Sequence, residues 1–396
     1  LLVTGVQTCA LPISTLKFRL FKSTFPISDS TVTDYLSPLF KNKPVDTWLQ
    51  HSEAPLKKGE PLLGVCLTGG CEPAFFKAAM ENPHSPVAIL THYRANSFAS
   101  GLELAARLKY EAKIGKRAPT IFCSIHDEKR LKSLLNSAAV ASKFIRKVPR
   151  LGVIGEPSAW LIASGSNSEK VKKLPKSMHI FGKRISQKEL FSNFARTKSV
   201  KESLSMIIKK YSLNAFTIRC FDLIPHGVTS CLEVSDFNDN GIAAACEGDI
   251  PSAVTMMIMQ SLGHSPVFMA NATGFQDDKL TFAHCTIPKT LCTETSIKTH
   301  FETGVGKAIC GRVKEGKWTA GRIGANGELL TDVVEITNPK EISNEHCRTQ
   351  ILVKASDEFT DKIRRGDAPG NHMLFVPGDI KEDLEYFTNI FKVWKD

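Results

Sequence analysis

Two acidic side chains lie in the turn predicted between an apolar strand and the helix that follows it. A run of small apolar residues, 241–246, is followed by Glu247 and Asp249, and Pro251 then opens a long apolar segment. Proline suits the first turn of a helix, and acids beside the positive end of a helix stay ionised. Because ligands of open α/β sheets bind after the carboxyl ends of strands, such a carboxylate could bind a hard metal ion or act as a general base. The alternative is an exposed turn whose charges serve solubility.

Two histidines could complete a metal site with Glu247. His284 lies in a strand-like run, and His372 lies beside a glycine turn at the start of the last predicted strand. A divalent metal site that acts on a substrate needs oxygen and imidazole ligands from separate elements, with open positions for substrate oxygens. Each histidine could instead be structural, with its ring bonded to the backbone. Cys285 beside His284 would suit a softer metal, but no further Cys or His spacing supports that alternative.

Composition narrows the class of protein. The 396 residues are 42% hydrophobic and 23% charged, as in an ordinary globular protein of two or three domains. The net charge of +11 comes from scattered Lys and Arg without interleaved aromatic residues, which argues against nucleic-acid binding. No apolar run reaches the roughly 18 residues that a membrane span needs. The 11 cysteines form no Cys-x-x-Cys pair, which favours reduced thiols in a cytoplasmic protein over disulfides or structural zinc.

Strands and helices alternate through the first two thirds of the chain. Apolar strands are predicted at 61–67, 86–91, 119–124 and 150–155, the first three followed by helices, which indicates right-handed βαβ units and parallel sheets. We predict that 156–163 starts another helix, that 164–176 is a loop, and that 381–394 is a closing helix. After Gly263, short alternating runs separated by Gly, Thr and Asn turns predict an antiparallel sheet or barrel.

The predicted fold class is therefore α/β, with two Rossmann-like parallel-sheet domains followed by an antiparallel β-barrel-like C-terminal domain. Residues 1–13 look like a translated sequencing adapter and are set aside. We expect a first Rossmann-like domain over 14–149. A second α/β domain, carrying the acidic turn, is expected over 150–263. The β-rich domain with the closing helix is expected over 264–396.

Several short runs resemble one protein family. These are CFDLIP (220–225), TSCL (229–232), NDNGI (238–242), ACEGD (245–249), GEPSAWLIAS (155–164), CRTQ (347–350) and PGNH (369–372). Over most of 61–396 the chain resembles the L-fucose/L-arabinose isomerase superfamily, in particular its fucose isomerase-like branch. The resemblance implies two Rossmann-like domains and a barrel-like domain, a hexamer, a small-molecule sugar substrate, and Mn²⁺-dependent aldose–ketose isomerisation through an enediol.

The resemblance also implies roles for individual residues. Glu247 matches the first metal-binding, catalytic glutamate, His372 the C-terminal histidine ligand, and His284 the additional histidine of the arabinose branch. The second metal-binding, catalytic acid of the family should fall at Ala270 or Asn271, and neither is an acid. Because enediol chemistry needs one group to remove a proton and another to deliver it, Asn271 is a weakened substitute that can bind a metal but cannot take up a proton.

Other residues could fill the remaining roles. Asp249, Asp277 and Asp278 are candidates to replace the missing acid. On family grounds, contacts to the sugar are expected from Trp160, Asn96 and Arg348.

Two functional hypotheses follow. The first is a ketol isomerase that uses Mn²⁺ or another divalent metal. The second is a non-catalytic sugar- or metal-binding homologue that has lost isomerase activity with the second acid; a lyase- or epimerase-type reaction on the same metal is a further alternative. A carboxylate within reach of the metal near Asn271 would favour the first hypothesis, whereas an apolar or amide-only wall would favour the second.

Overall fold

A computed structural model describes residue 16 and residues 18–24, 27–40, 56–164 and 169–393, so the predicted adapter segment lies outside the described residues. The chain divides into two compact units, one reaching Lys147 and including Asn389–Asp396, the other spanning Val148–Thr388. The predicted fold class is confirmed, because the chain forms two parallel sheets followed by an antiparallel barrel. The three domain boundaries stay a prediction.

The first unit is built on a parallel sheet with the strand order β1-β2-β3-β4. Its strands are β1 (Phe18–Phe21), β2 (Leu62–Cys66), β3 (Val87–Thr91) and β4 (Thr120–Ser124), and its helices are α1 (Asp29–Phe40), α2 (Glu72–Glu81), α3 (Ser97–Lys113) and α4 (Glu128–Arg146). Strands β2 and β3 are buried along their whole length, as expected of parallel strands covered on both faces.

The second unit begins with a parallel sheet of order β6-β5-β7-β8. Its elements are β5 (Arg150–Ile154), α5 (Glu169–Ser177), β6 (Phe181–Ile185), α6 (Gln187–Thr197), α7 (Val200–Tyr211), β7 (Ala215–Ile218), a 3₁₀ helix (Cys220–His226), α8 (Cys231–Asp239), β8 (Ala243–Ala245) and α9 (Ile250–Gly263). Because β5 lies between β6 and β7, the strand order reverses there, and a reversal of this kind opens a crevice at the carboxyl ends of the strands. The acidic turn follows β8 at this edge.

A closed barrel of order β10-β15-β14-β13-β16-β9 completes the second unit. Its strands are β9 (Phe268–Gln276), β10 (Lys279–His284), β13 (Gly316–Ile323), β14 (Leu329–Thr337), β15 (Thr349–Lys354) and β16 (His372–Pro377). A separate hairpin pairs β11 (Cys292–Lys298) with β12 (Ala308–Val313), and two helices follow, α10 (Asp357–Arg364) and α11 (Lys381–Asn389). The barrel core is aromatic and aliphatic, with Phe268, Phe282, Trp318 and Phe375 fully buried.

Two local predictions are wrong. Residues 156–163 form turns and no helix. The reason is that the Ser158 N–H donates to the Glu247 carbonyl (2.9 Å), which bonds the segment to the acidic turn. The loop predicted over 164–176 contains most of α5, in which Val171 and Leu174 are buried on one face while the lysines stay outside. None of the helices in the described part of the chain combines the length and the apolar character that crossing a membrane requires.

Candidate metal centre

The turn after β8 has an unusual backbone conformation that fixes the position of Glu247. Glu247 has φ 62° and Gly248 has φ 75°. The Gly248 N–H donates to the Ile218 carbonyl of β7, and the Glu247 carbonyl accepts from the Ser158 N–H, both at 2.9 Å. Hydrogen bonds to two neighbouring segments therefore fix the turn. A left-handed conformation outside glycine costs about 1–3 kcal/mol and is concentrated at functional sites. The fold therefore holds the Glu247 carboxylate in one place at the edge of the sheet.

Gly248→Ala is expected to destabilise the protein by about 1–3 kcal/mol. A Cβ at this position would lie 2.6 Å from the Cα of Pro157, in addition to the strained φ. Gly241→Ala is the matched control, since Gly241 also has positive φ (81°), but a Cβ there would meet nothing within 4 Å. Urea denaturation of both variants measures the difference; equal losses in free energy of unfolding would show that the contact with Pro157 is unimportant.

Three side chains from separate elements converge at this turn. The Oε1 atom of Glu247 lies 3.5 Å from Nε2 of His372 and 3.9 Å from Nε2 of His284. One ligand atom from each residue lies within 4.8 Å of the others. Glu247 is 8% exposed, His284 4% and His372 0%. The structure thus brings Glu247 and His372 together within one metal's coordination diameter, and His284 joins them.

Each imidazole is held so that Nε2 faces Glu247. Nδ1 of His372 bonds to the Asp249 carboxylate (2.8 Å) and Nδ1 of His284 to the Thr286 hydroxyl (2.9 Å). Nε2 of His372 is buried and has no hydrogen-bond partner among the described residues. An oriented histidine with a carboxylate on its far nitrogen is the arrangement that metal sites use. One carboxylate and two imidazoles with open positions suit a divalent transition metal, so these residues fit such an ion.

Asp249 serves a structural role in this site. It caps helix α9 by accepting from the Ser252 N–H (2.9 Å), and its two oxygens pair with the buried Arg322 guanidinium at 3.1 and 3.2 Å. Arg322 also donates to the Ser164 hydroxyl (2.7 Å). The suggestion that Asp249 replaces the second acid is therefore wrong, because its oxygens are already used by an ion pair, a helix cap and His372.

Asp277 and Asp278 lie too far away to replace the second acid. Both have positive φ and form the tip of the hairpin between β9 and β10. Since a strand rises about 3.3 Å per residue, the tip lies roughly 20 Å along β9 from Asn271. That suggestion is also wrong.

The electrostatic environment keeps Glu247 and His284 in the forms that bind metals. Burial lowers the pKa of His372, but its interactions with Asp249 and Glu247 outweigh burial, and the net pKa of His372 is raised while no cation is present to replace the proton. Burial raises the pKa of Glu247, but interaction with His372, His284 and Trp160 outweighs it, and the net pKa is lowered. Burial lowers the pKa of His284 to about 3, assisted by neighbouring His372. Burial also raises the pKa of Asp249, yet Arg322 and His372 hold it well below its usual range. The site thus contains carboxylates and a neutral imidazole at neutral pH.

Asn271 lies beside this cluster. It pairs with His372 across β9 and β16, and its side-chain oxygen accepts a hydrogen bond from Asn371 (2.7 Å).

Asn271 lines a cavity together with Glu247 and His284. The other residues around that cavity are Cys220, Phe221, Ile224, Thr229, Cys231, Cys246, Cys285, His300, Glu302 and Cys347. The described cysteines are free thiols, and five of them line this cavity.

The three residues expected to contact the sugar occupy different places. The indole N–H of Trp160 donates to Oε2 of Glu247 (2.7 Å), so Trp160 lies at the site. Arg348 donates to the Thr299 carbonyl (2.9 Å) and packs over Phe301, and it is absent from the cavity lining. Asn96 belongs to the first unit, where it precedes α3 with φ 57°. Their role as substrate contacts stays a prediction.

Sequence reasoning missed several residues of the site: Arg322, Ser164, Thr286, His300 and Glu302. Arg322 is 73 residues from Asp249, and no local pattern marks a partner so distant in the chain. His300 and Glu302 lie in a loop between two short strands. A single histidine and a single glutamate in such a loop form no motif that marks a site.

Comparison with known proteins gives relatives of one kind. The chain is 23% identical over 303 residues to the sulfoquinovose isomerases of Priestia aryabhattai and Priestia megaterium, covering 65% of this chain and 67% of theirs. It is 23% identical over 206 residues to a sulfoquinovose isomerase of a Clostridium strain, covering 47% of this chain and 44% of that protein. No family model matches the chain. The chain is thus similar, at low identity, to sugar isomerases.

Proposed function

We propose that this chain is a metal-dependent aldose–ketose isomerase acting on a sugar or sugar derivative through an enediol. The observation that carries the proposal is the buried convergence of Glu247, His284 and His372, in which Nε2 of His372 faces the Glu247 carboxylate at 3.5 Å and makes no hydrogen bond with any described residue. Similarity to sulfoquinovose isomerases supports it. Because the cavity is lined by thiols, hydroxyl and imidazole groups as well as carboxyl groups, a small polyhydroxylated molecule is a suitable ligand.

Glu247, His284 and His372 would hold the ion, for which we propose Mn²⁺, with the Asn271 carbonyl as a further ligand. A bound divalent cation supplies Lewis acidity that polarises the substrate carbonyl. The lowered pKa of buried Glu247 keeps its carboxylate ionised, which is the form that can accept a proton from substrate carbon. Trp160 restrains the second oxygen of that carboxylate. The assembly we propose is a homo-oligomer, a hexamer by family resemblance, in the cytoplasm.

A second candidate is a sugar- or metal-binding protein without catalysis. The specific observation in its favour is Asn271, whose neutral amide stands where the resemblance places an acid. Such a protein would bind the metal and sugar and leave the sugar unchanged. The presence of Glu302 in the lining of the same cavity favours the isomerase, because the wall near Asn271 is not made of amide and apolar groups alone.

A panel of aldoses and ketoses tests the proposal. Metal-stripped protein, with and without added Mn²⁺, is incubated with each sugar, sulfoquinovose included, and interconversion is followed by NMR. We expect at least one aldose–ketose pair to interconvert only when Mn²⁺ is present. Sugar and metal binding without conversion of any member would support the non-catalytic alternative.

Asn271→Asp is expected to tighten Mn²⁺ binding by about tenfold, or about 1.4 kcal/mol. The carboxylate adds an attractive Coulomb interaction of about 4 kcal/mol per unit of metal charge at 4 Å with an effective dielectric constant of about 20, most of which desolvation of the carboxylate offsets. The carboxylate can still accept the Asn371 hydrogen bond. Isomerase activity should rise as well if the second acid limits catalysis. Calorimetric titration measures the affinity.

The matched control for that variant is Asn240→Asp. Asn240 is exposed at the other end of β8, so the same change in charge should leave Mn²⁺ affinity unaltered. Equal affinities in wild type and Asn271→Asp would mean that the side chain does not act on the metal.

A further inference from the structure

Enediol isomerisation needs a second proton-transfer group besides Glu247, and the position expected to supply it is an asparagine. Asn271 cannot exchange a proton, Asp249 is locked in its ion pair with Arg322, and the two aspartates of the β9–β10 turn lie at the far end of the strand. Any replacement must therefore come from another element that reaches the cavity.

The loop between β11 and β12, residues 299–307, supplies a carboxyl group to the cavity. Glu302 and His300 both line it, together with Glu247, Asn271 and His284. The Glu302 carboxyl makes no hydrogen bond or ion pair with any residue in the described part of the chain, so its oxygens are available to a ligand. Glu302 is exposed as a residue. Partial burial of its carboxyl group raises its pKa, and the charge of Glu247 raises it further, which favours a carboxyl group that can carry a proton.

This loop is firmly positioned at both ends. The Thr299 carbonyl accepts a hydrogen bond from Arg348 (2.9 Å), and Thr229 bonds to both backbone groups of Lys307 at 2.6 and 3.0 Å. Within the loop the Gly304 N–H donates to the His300 carbonyl (2.9 Å). Catalytic groups must be held in place by their surroundings to act efficiently, and these bonds hold the backbone that carries Glu302.

We propose that Glu302 is the second proton-transfer group of this site and takes the role that the family resemblance assigns to position 271. This inference rests on the proposed isomerase function. The carboxyl group comes from the barrel-side hairpin instead of strand β9, so this chain fills the role from a different element.

Protons and electron pairs balance over the two halves of the reaction. Glu247 takes the proton from carbon 2 of the aldose, and the C–H electron pair becomes the C1–C2 double bond. The carbonyl π pair moves onto O1, which takes the proton of Glu302. In the second half the Glu302 carboxylate takes the O2 proton and the O–H pair forms the C2 carbonyl of the ketose. The C1–C2 π pair then forms the C1–H bond with the proton that Glu247 returns. Both carboxyl groups end as they began.

His300 is a less suitable donor than Glu302. Burial lowers the pKa of His300, with Arg348 adding to the effect, so its ring is neutral and a weak acid. Its Nδ1 bonds to the Thr303 hydroxyl (3.2 Å), and the ring packs edge-on against Phe221. These contacts suit an imidazole that orients a sugar hydroxyl.

The test combines two substitutions with chemical rescue. Glu302→Gln should lower turnover by at least about 10²-fold, the usual contribution of a general acid or base, with Mn²⁺ affinity measured by calorimetry unchanged. Glu302→Ala opens space at the exposed end of the cavity, so added formate or acetate should restore turnover by at least about tenfold. Glu294→Gln, exposed on β11 of the same hairpin, is the matched control and should retain full turnover.

Different results overturn different claims. Full turnover in Glu302→Gln, or an inactive Glu302→Ala that neither formate nor acetate restores, would overturn the role of Glu302 and leave the isomerase intact. Weakened Mn²⁺ binding in Glu302→Gln would make it a metal-site residue and overturn the proton-transfer role. Wild-type protein that interconverts no sugar would overturn the proposed function and this inference together.

Discussion

Glu247→Gln is expected to lower sugar isomerisation by at least about 10²-fold, the loss that follows removal of a general base. The amide keeps the shape of the side chain and can still accept the Trp160 hydrogen bond, but it has no negative charge and cannot take up a proton. Mn²⁺ affinity should fall as well, because Glu247 is the carboxylate that faces both His284 and His372.

The measurements are steady-state turnover with Mn²⁺ and urea denaturation of the same preparations. Glu335→Gln, exposed on strand β14, makes the same change away from the cavity and should behave as wild type. The free energy of unfolding of Glu247→Gln should stay close to that of wild type, since the removed charge faces a cavity. Turnover equal to wild type would exclude Glu247 from the mechanism.

Arg322→Met is expected to cost about 3–5 kcal/mol of folding stability, because it leaves the charge of Asp249 buried without a counter-charge. Both side chains of this pair are 0% exposed, and Asp249 in turn orients His372. The effect should therefore extend to the metal site, where disturbing a partner of a ligand typically costs about 10–100-fold in metal affinity.

The exposed pair of Arg364 and Asp361 on helix α10 provides the comparison. Arg364→Met should change the free energy of unfolding by no more than about 1 kcal/mol, as is typical of surface ion pairs. The double variant Asp249→Asn with Arg322→Met should lose less than the sum of the single losses, since the two residues interact directly. Strict additivity of the two losses would contradict a coupled buried pair.

The fold class could be predicted from the sequence because the periodicity changes along the chain. The alternation of apolar strands with helices predicted the two parallel sheets, and the short alternating runs after Gly263 predicted the barrel. Segments whose structure depends on distant partners were predicted wrongly. Residues 156–163 have the Pro and apolar pattern of a helix start, yet Ser158 bonds to Glu247 across the sheet edge.

The candidate site was predictable only in part. Residue type, local turns and family resemblance predicted Glu247, His284 and His372. The residues that hold these side chains in place could not be predicted. Asp249 pairs with Arg322, which is 73 positions away in sequence, and local patterns do not predict contacts over such a distance. Asp249 appeared as a possible exposed acid, whereas the structure buries it as a helix cap and ion-pair partner. Glu302 was missed because a single glutamate in a hairpin loop resembles any solvated charge.

Calorimetric titration of metal-stripped protein with Mn²⁺ tests the central claim most directly. The proposed centre predicts one ion bound per chain, and at least about tenfold weaker binding in His372→Gln and in Glu247→Gln, as expected when a ligand or its support is lost. Asn240→Asp should bind as wild type does. Absence of binding to wild-type protein, or the same affinity in all four proteins, would contradict a metal centre built from Glu247, His284 and His372.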